Sequence, residues 1–189
     1  MSDVRVELLA SDFYVAERRQ ALYRGRSEVA YAYNDPRAEA RQSKNFTTED
    51  YERVTLYSLA LEAALARRLG VPIKSSEDER TDLPNGVETM CRGPKAYHGG
   101  NPYVVERQGE FFPTLTAYIV PDREAAVDIR FLLTPDMVPH LRTTHAYAKS
   151  WGKTRHLVDV SSAVRCGGRL NLLERLQALV RGPAPEVLA

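Results

Sequence analysis

Two cysteines, Cys91 and Cys166, are all that the 189 residues contain, so at most one bridge can form and a disulfide-built scaffold is excluded. Net charge is nearly absent. Twenty-six Lys and Arg stand against 25 Asp and Glu, leaving +1, which excludes a protein that binds polyanions with its whole surface. No apolar run approaches the roughly 20 residues needed to cross a bilayer, and the first residues lack the charged-then-apolar order of a secretory signal. A soluble, cytoplasmic protein is the expectation. Repeats and low-complexity tracts are also missing, as are a phosphate-binding Gly-Lys-Ser/Thr loop, a Gly-x-Gly-x-x-Gly fingerprint, the deaminase His-x-Glu with Pro-Cys-x-x-Cys and a Gly-x-Ser-x-Gly turn. Without that last turn, His156, Asp159 and Ser161 do not make a convincing triad. His140 and His145 are spaced unlike a zincin pair or a finger, and Cys91 and His98 add no recognised second pair, so no zinc set is supplied.

What is present is enough apolar material, 43 % of the chain, for one well-buried core, and the chain reads as a single domain over 1–189. Val4, Val6 and Leu8 share a parity that suits a short strand, and from Ser11 the spacing becomes helical. Residues 31–44 read as a loop or link. The clearest element is a helix from about Thr48 to Leu69. Thr47 or Thr48 caps it, Glu49, Asp50 and Glu52 suit its positive end, Arg67 and Arg68 its negative end, and Gly70 stops it. Its middle, 56–66, is so apolar that burial over most of its circumference is expected. An acidic loop follows, then the turn Pro84-Asn85-Gly86 and a strand from Val87 to Arg92. Residues 93–101 suggest a loop, 103–133 a mainly antiparallel group of strands with Ala126–Leu133 the most convincing, 156–160 one more short strand, and 171–180 a last amphipathic helix, with Gly167-Gly168 as a hinge before it. The sum is an α+β or mixed α/β domain, a central mostly antiparallel or mixed sheet flanked by helices.

Three carboxylates carry the chemistry of this reading. At 100° per residue Glu62 lies about 20° from Tyr51 and Leu69, on a largely apolar helix face, where an unpartnered carboxylate costs several kcal/mol. Asp82 precedes the turn and Glu88 follows it. Strand parity puts Glu88, Met90 and Arg92 on one face and Val87, Thr89 and Cys91 on the other. Two carboxylates with a basic group nearby can hold a divalent cation and polarise a phosphate, and oxygen donors suit Mg²⁺ or Mn²⁺. A salt-bridged Glu62, a turn-capping Asp82 and a solvent-facing Glu88 account for the same residues structurally.

The order of a capped helix bearing Glu62 and ending Leu69-Gly70, then Asp82, then Gly86-Val87-Glu88 on a strand, resembles the core of the PD-(D/E)XK, restriction-endonuclease-like nucleases, in particular small phage-encoded members. The strands 116–122 and 127–133 and the late segment 157–165 extend the likeness over 47–165, leaving 1–46 as an N-terminal strand and helix extension and 166–189 as a C-terminal helix and tail. The resemblance implies a metal-dependent endo- or exodeoxyribonuclease with Glu62, Asp82 and Glu88 as metal ligands. Where the superfamily has a Lys two residues after the second acid, this chain has Met90; Arg92 or Lys95 would have to stand in. If neither does, a catalytically inactive nucleic-acid-binding or protein-interaction module on the same fold is the alternative, as is a phage accessory protein that meets a host protein through its acidic loop. Restriction-type nucleases often pair, so a homodimer is compatible.

Charge by segment refines the near-zero total. Residues 48–89 hold nine acids and five bases, whereas 138–181 hold eight bases and two acids. Arg142, Lys149, Lys153, Arg155, Arg165 and Arg169 are interleaved with aromatic Trp151, which suits a nucleic-acid backbone with bases packed on rings; an ordinary solvated charged face fits the same residues.

Overall fold

The computed structural model describes residues 3–24, 48–73, 82–148 and 153–182. The predicted loop at 31–44, most of the acidic loop, Lys149 and Trp151 lie outside the described residues. The fold is mixed α/β. Strand β1 (Val4–Glu7) leads into α1 (Ala10–Arg24) and then α2 (Thr48–Leu69). Strands β2 (Glu88–Arg92), β3 (Tyr103–Arg107), β4 (Glu110–Phe112), β5 (Thr114–Ile119), β6 (Ala126–Leu133), β7 (Thr143–Ala148) and β8 (Lys153–Val158) follow, and α3 (Val160–Arg165) and α4 (Leu172–Arg181) close the chain. Among the described residues no helix is long and apolar enough to cross a membrane.

The strands form two four-stranded sheets, ordered β1-β6-β5-β2 and β4-β3-β8-β7. Within 103–133 the pairings are antiparallel as expected, β3 with β4 and β5 with β6, but they do not form one sheet: β3 and β4 belong to the second, and β2 joins the first by pairing with β5 in parallel. A parallel neighbour needs a crossover rather than a hairpin, and the chain makes it by passing through β3 and β4 before returning as β5. Strand β7 and helix α3 were not anticipated, and β8 begins at Lys153 rather than at 156.

The first sheet is covered on both faces. Leu115, Ala117, Ile119, Val127, Ile129 and Leu132 pack with Leu61, Ala64, Leu65 and Leu176 into the larger core under the helices. Helix α2 is buried around most of its girth, as its composition requires, and ends at Gly70 with φ +69°, where the Val71 N–H reaches back to the Ala66 carbonyl at 2.9 Å. Helix α4 buries Leu172, Leu176 and Val180, one stripe at four-residue spacing. On the other face Tyr118, Phe131 and Leu133 meet Val104, Val158 and Ala163 in a smaller core. Two hydroxyls of β5 staple the sheets together there, Thr116 accepting from the Tyr103 N–H at 3.1 Å and Thr114 from the Val105 N–H at 3.0 Å.

Gly167-Gly168 is a packing device rather than a hinge. Gly168 donates to the Ala163 carbonyl and accepts from the Leu132 N–H at 2.8 Å, and a Cβ there would stand 2.6 Å from a Leu133 methyl and 2.9 Å from the Ala163 oxygen. Gly168→Ala is therefore expected to cost about 1–3 kcal/mol in chemical denaturation, whereas Gly99→Ala, with open space around it, should stay within about 0.5 kcal/mol of wild type.

Candidate functional site

Strand β2 is an edge of the first sheet, and its outward Thr89 N–H would be an open donor. Asp82 covers it, accepting from the Thr89 N–H at 2.6 Å and from the Thr89 hydroxyl at 3.1 Å. The turn between them is held from outside, since Asn85, in the left-handed region at φ 57°, donates to the carbonyls of Leu179 and Val180 at the end of α4. Asp82 is thus placed by its own turn and by the last helix.

Parity of β2 then divides the two glutamates. Thr89 faces α2, and its hydroxyl lies 3.3 Å from Glu62 Oε1. Glu62 is 4 % exposed, and its Oε2 accepts from Arg19 of α1 at 2.6 Å. Glu88 faces the second sheet, 2 % exposed, with both oxygens 2.9 Å from Lys153 Nζ of β8 and Oε1 3.9 Å from Arg107 of β3. Glu62 and Glu88 therefore lie on opposite sides of the strand with Asp82 at the rim between them, and among the described residues no three His, Cys, Asp or Glu side chains gather as a metal-holding group. The three carboxylates expected as one ligand set are thus not gathered at one point, although the charge of Asp82 acts on both Glu62 and Glu88.

The groups are nevertheless electrostatically linked. Burial pushes Glu62 up to about 8, and the charge of Asp82 adds to it while Arg19 opposes. Burial and Asp82 likewise raise Glu88 to about 7 against the pull of Lys153 and Arg107. The hydroxyl of Thr89 has one proton and cannot donate to both Glu62 and Asp82. A protonated Glu62 resolves this: it donates to Thr89 Oγ1, which donates to a charged Asp82. Cys91, on the same side as Thr89, has its thiol pushed up to about 12 by burial and is a packing residue.

The remaining predicted residues are dispersed. Arg92 lies over the Tyr103 ring at 4.8 Å, and Lys95 pairs with Asp50 at 3.0 Å on the surface. Arg142 is exposed and, with Arg165, acts on Asp159; Arg165 also borders an open depression with Asp136, His140 and Cys166. Arg155 is half-buried, with an Nε that makes no hydrogen bond, and Arg169 bonds to Asp3. Of the described members of the expected nucleic-acid face, Lys153 is thus turned inward to Glu88, and Arg155, two residues on in β8, shares its parity. Asp159 and Ser161 belong to the cap of α3, where Asp159 also accepts from the Ser162 N–H at 2.9 Å, and His156 pairs with Glu106 at 2.7 Å. Arg19, Thr89 and Arg107 were missed. Parity marks Thr89 as Glu88's opposite, but nothing local ties Arg19 to a carboxylate 43 residues away.

Comparisons with protein-family models, with curated proteins and with solved structures find no match.

Both glutamates ionise less readily folded than unfolded, so their contribution to stability is full below about pH 4.5 and is lost as pH rises through about 7 to 8. Glu62→Gln, which keeps a donor for Thr89 and an acceptor for Arg19, should flatten the fall in unfolding free energy between pH 5 and 8 by on the order of 1 kcal/mol per pH unit in the middle of that range. Urea titrations at several pH values measure that slope; an unchanged slope would mean that Glu62 is charged throughout.

Proposed function

We propose that the protein hydrolyses phosphodiester bonds of DNA at the rim formed by Asp82 and Glu88, with Mg²⁺ or Mn²⁺. The observation that carries this reading is the seat of Lys153: β8 delivers to Glu88 the cation that Met90 does not supply from β2. The donor set suits the ion, because two hard carboxylates whose charges act on each other favour a divalent cation that takes its other ligands from water and phosphate. When bound, the ion polarises a phosphate oxygen and lowers the pKa of water. The chain's own groups do the rest. Asp82 and Glu88 hold the ion, and Lys153, released from its contact with both Glu88 oxygens, meets the charge that grows on the phosphate oxygens. Arg107 keeps the inter-sheet wall positive. Thr89 and protonated Glu62 fix the orientation of Asp82, which makes Glu62 a positioning residue.

A second reading, binding of nucleic acid without hydrolysis, is favoured by one specific observation: Lys153 and Arg107 already pair with Glu88, so that carboxylate is held without an added cation.

Cleavage of supercoiled plasmid in Mg²⁺ or Mn²⁺ decides between them. Asp82→Asn and Lys153→Met are each expected to lower the rate about a hundredfold or more, and Glu62→Gln less. Equal nicking by wild type and Asp82→Asn, or none by either at high protein concentration, removes the hydrolytic reading; salt-sensitive DNA binding in that case sustains the second.

A further inference from the structure

Strand parity puts Lys153, Arg155 and Leu157 of β8 on one face. Lys153 shows which way that face looks, because its Nζ lies 2.9 Å from both oxygens of Glu88. Arg155, roughly 7 Å further along the strand, therefore looks into the same cleft between β2 and the second sheet. Its partner across the ladder in β3 is Val105, 1 % exposed, so the cleft is closed at β3 and Arg155 stands one strand out from that floor. The Arg155 side chain is half-buried and its Nε is buried, yet it makes no ion pair, hydrogen bond or ring contact among the described residues. A guanidinium N–H taken out of water without an acceptor costs desolvation that no bond offsets.

A second guanidinium stands on the opposite wall. Arg92 shares the parity of Glu88 in β2, roughly 13 Å further on. It rests 4.8 Å from the centre of the Tyr103 ring and has no carboxylate partner among the described residues. Tyr103 is two residues from Val105 and opposite Leu157, so it lies on the face that carries Arg155. Both Arg92 and Tyr103 are half-buried. The other arginines between the sheets are engaged: Arg107 beside Glu88, Arg5 on Asp128, and Arg130, turned out of the ladder by the bulge between β5 and β6, with Arg169 at Asp3. Arg155 and Arg92 are positive charges that the fold brings to the cleft and does not neutralise.

We propose that this cleft carries a single DNA strand away from the Asp82 and Glu88 rim, with Arg155 bonding a backbone phosphate and Arg92, seated on Tyr103, packing against a base. A phosphate oxygen supplies the acceptor that the Arg155 guanidinium lacks, in the geometry its planar donors suit. A guanidinium held on a ring is a platform for a base. The two arginines come from different walls, so a ligand with repeated phosphates and bases engages both where a free phosphate would meet one. A half-buried guanidinium between two sheets is reached by one strand and not by a duplex. The path rests on the reading that the rim meets nucleic acid, and adds where the strand lies beside it.

Fluorescence anisotropy of a labelled single-stranded DNA oligonucleotide, titrated with the full chain in EDTA so that binding is read without hydrolysis, tests it. Arg155→Gln is expected to weaken binding about tenfold and to lower the slope of log affinity against log salt by about 0.7, the share of one phosphate contact. Arg92→Gln is expected to weaken binding about fivefold. Arg123→Gln, on the exposed turn between β5 and β6, removes the same charge and should change affinity less than twofold. Arg155 and Arg92 hold no ion pair among the described residues, so both variants should keep the wild-type circular dichroism and urea midpoint. Equal affinity and salt slope in wild type and Arg155→Gln, an equal loss in Arg155→Gln and Arg123→Gln, or no binding by wild type at low salt overturns the strand path. Plasmid nicking reports separately on the hydrolytic reading. Arg155-dependent binding by a protein that nicks nothing upholds the path and removes only hydrolysis, whereas nicking and binding that Arg155→Gln leaves unchanged removes the path and keeps hydrolysis.

Discussion

Glu88 sits where two sheets close on each other, and its burial is the constraint around which the polar architecture is arranged. A carboxylate removed from water to this degree costs several kcal/mol unless it is paired, and the pairing comes from the other sheet, through Lys153 and Arg107. That contact is a poor source of net stability, because both partners lose hydration. Its consequence is register. Lys153 can reach Glu88 only if β8 lies against β3 as it does, with Lys153 opposite Arg107, and only if β2 turns Glu88 toward the second sheet. Thr89 is then turned toward α2, and Asp82 is held at the edge by the backbone of the same residue.

The two faces of the first sheet divide their labour accordingly. The helical face is almost wholly apolar; Glu62 with Arg19 is sealed among leucines and alanines of α2, and Asp12 is buried with Arg67 between α1 and α2. The inter-sheet face is apolar only in its middle, at Tyr118, Phe131 and Leu133, and polar at both ends. One end holds carboxylates with amine and guanidinium partners. The other holds an excess of guanidinium over carboxylate, spread on aromatic rings that offer a cation some attraction without neutralising it. The polar groups between the sheets are thereby kept apart from the larger apolar core under the helices.

Much of the local structure was legible because its causes are local. Helix α2 carries its own caps, dipole-matched ends and glycine stop, and β6 is a run of residues that suits a strand covered on both sides. Glu62, Asp82 and Glu88 were conspicuous because each is a polar group where the pattern asks for something else, and the parity of β2 correctly separated the faces of Glu88 and Thr89. Other features had no local cause. Lys153 read as one member of a basic stretch, and its partnership with Glu88 spans 65 residues. Arg130 looked like an ordinary alternating residue of β6, because a bulge exists only relative to the strand beside it. The separation of 103–133 into two sheets depended on which strands found each other, and antiparallel alternation is the same in either sheet.

By itself the sequence determined most element types, β7 and α3 excepted, the apolar helix and strand faces that must be buried, and the short list of carboxylates for which burial or solvation had to be resolved. These follow from periodicity and from the cost of desolvating charge, both of which act within one element. Only the tertiary structure decided that the two glutamates would stand on opposite sides of β2, that Lys153 would pair with Glu88, and that Arg130 of β6 and Arg169 of the turn after α3 would meet at Asp3. Those outcomes are set by pairing register and sheet packing, which bring together residues whose separation along the chain carries no trace of their proximity.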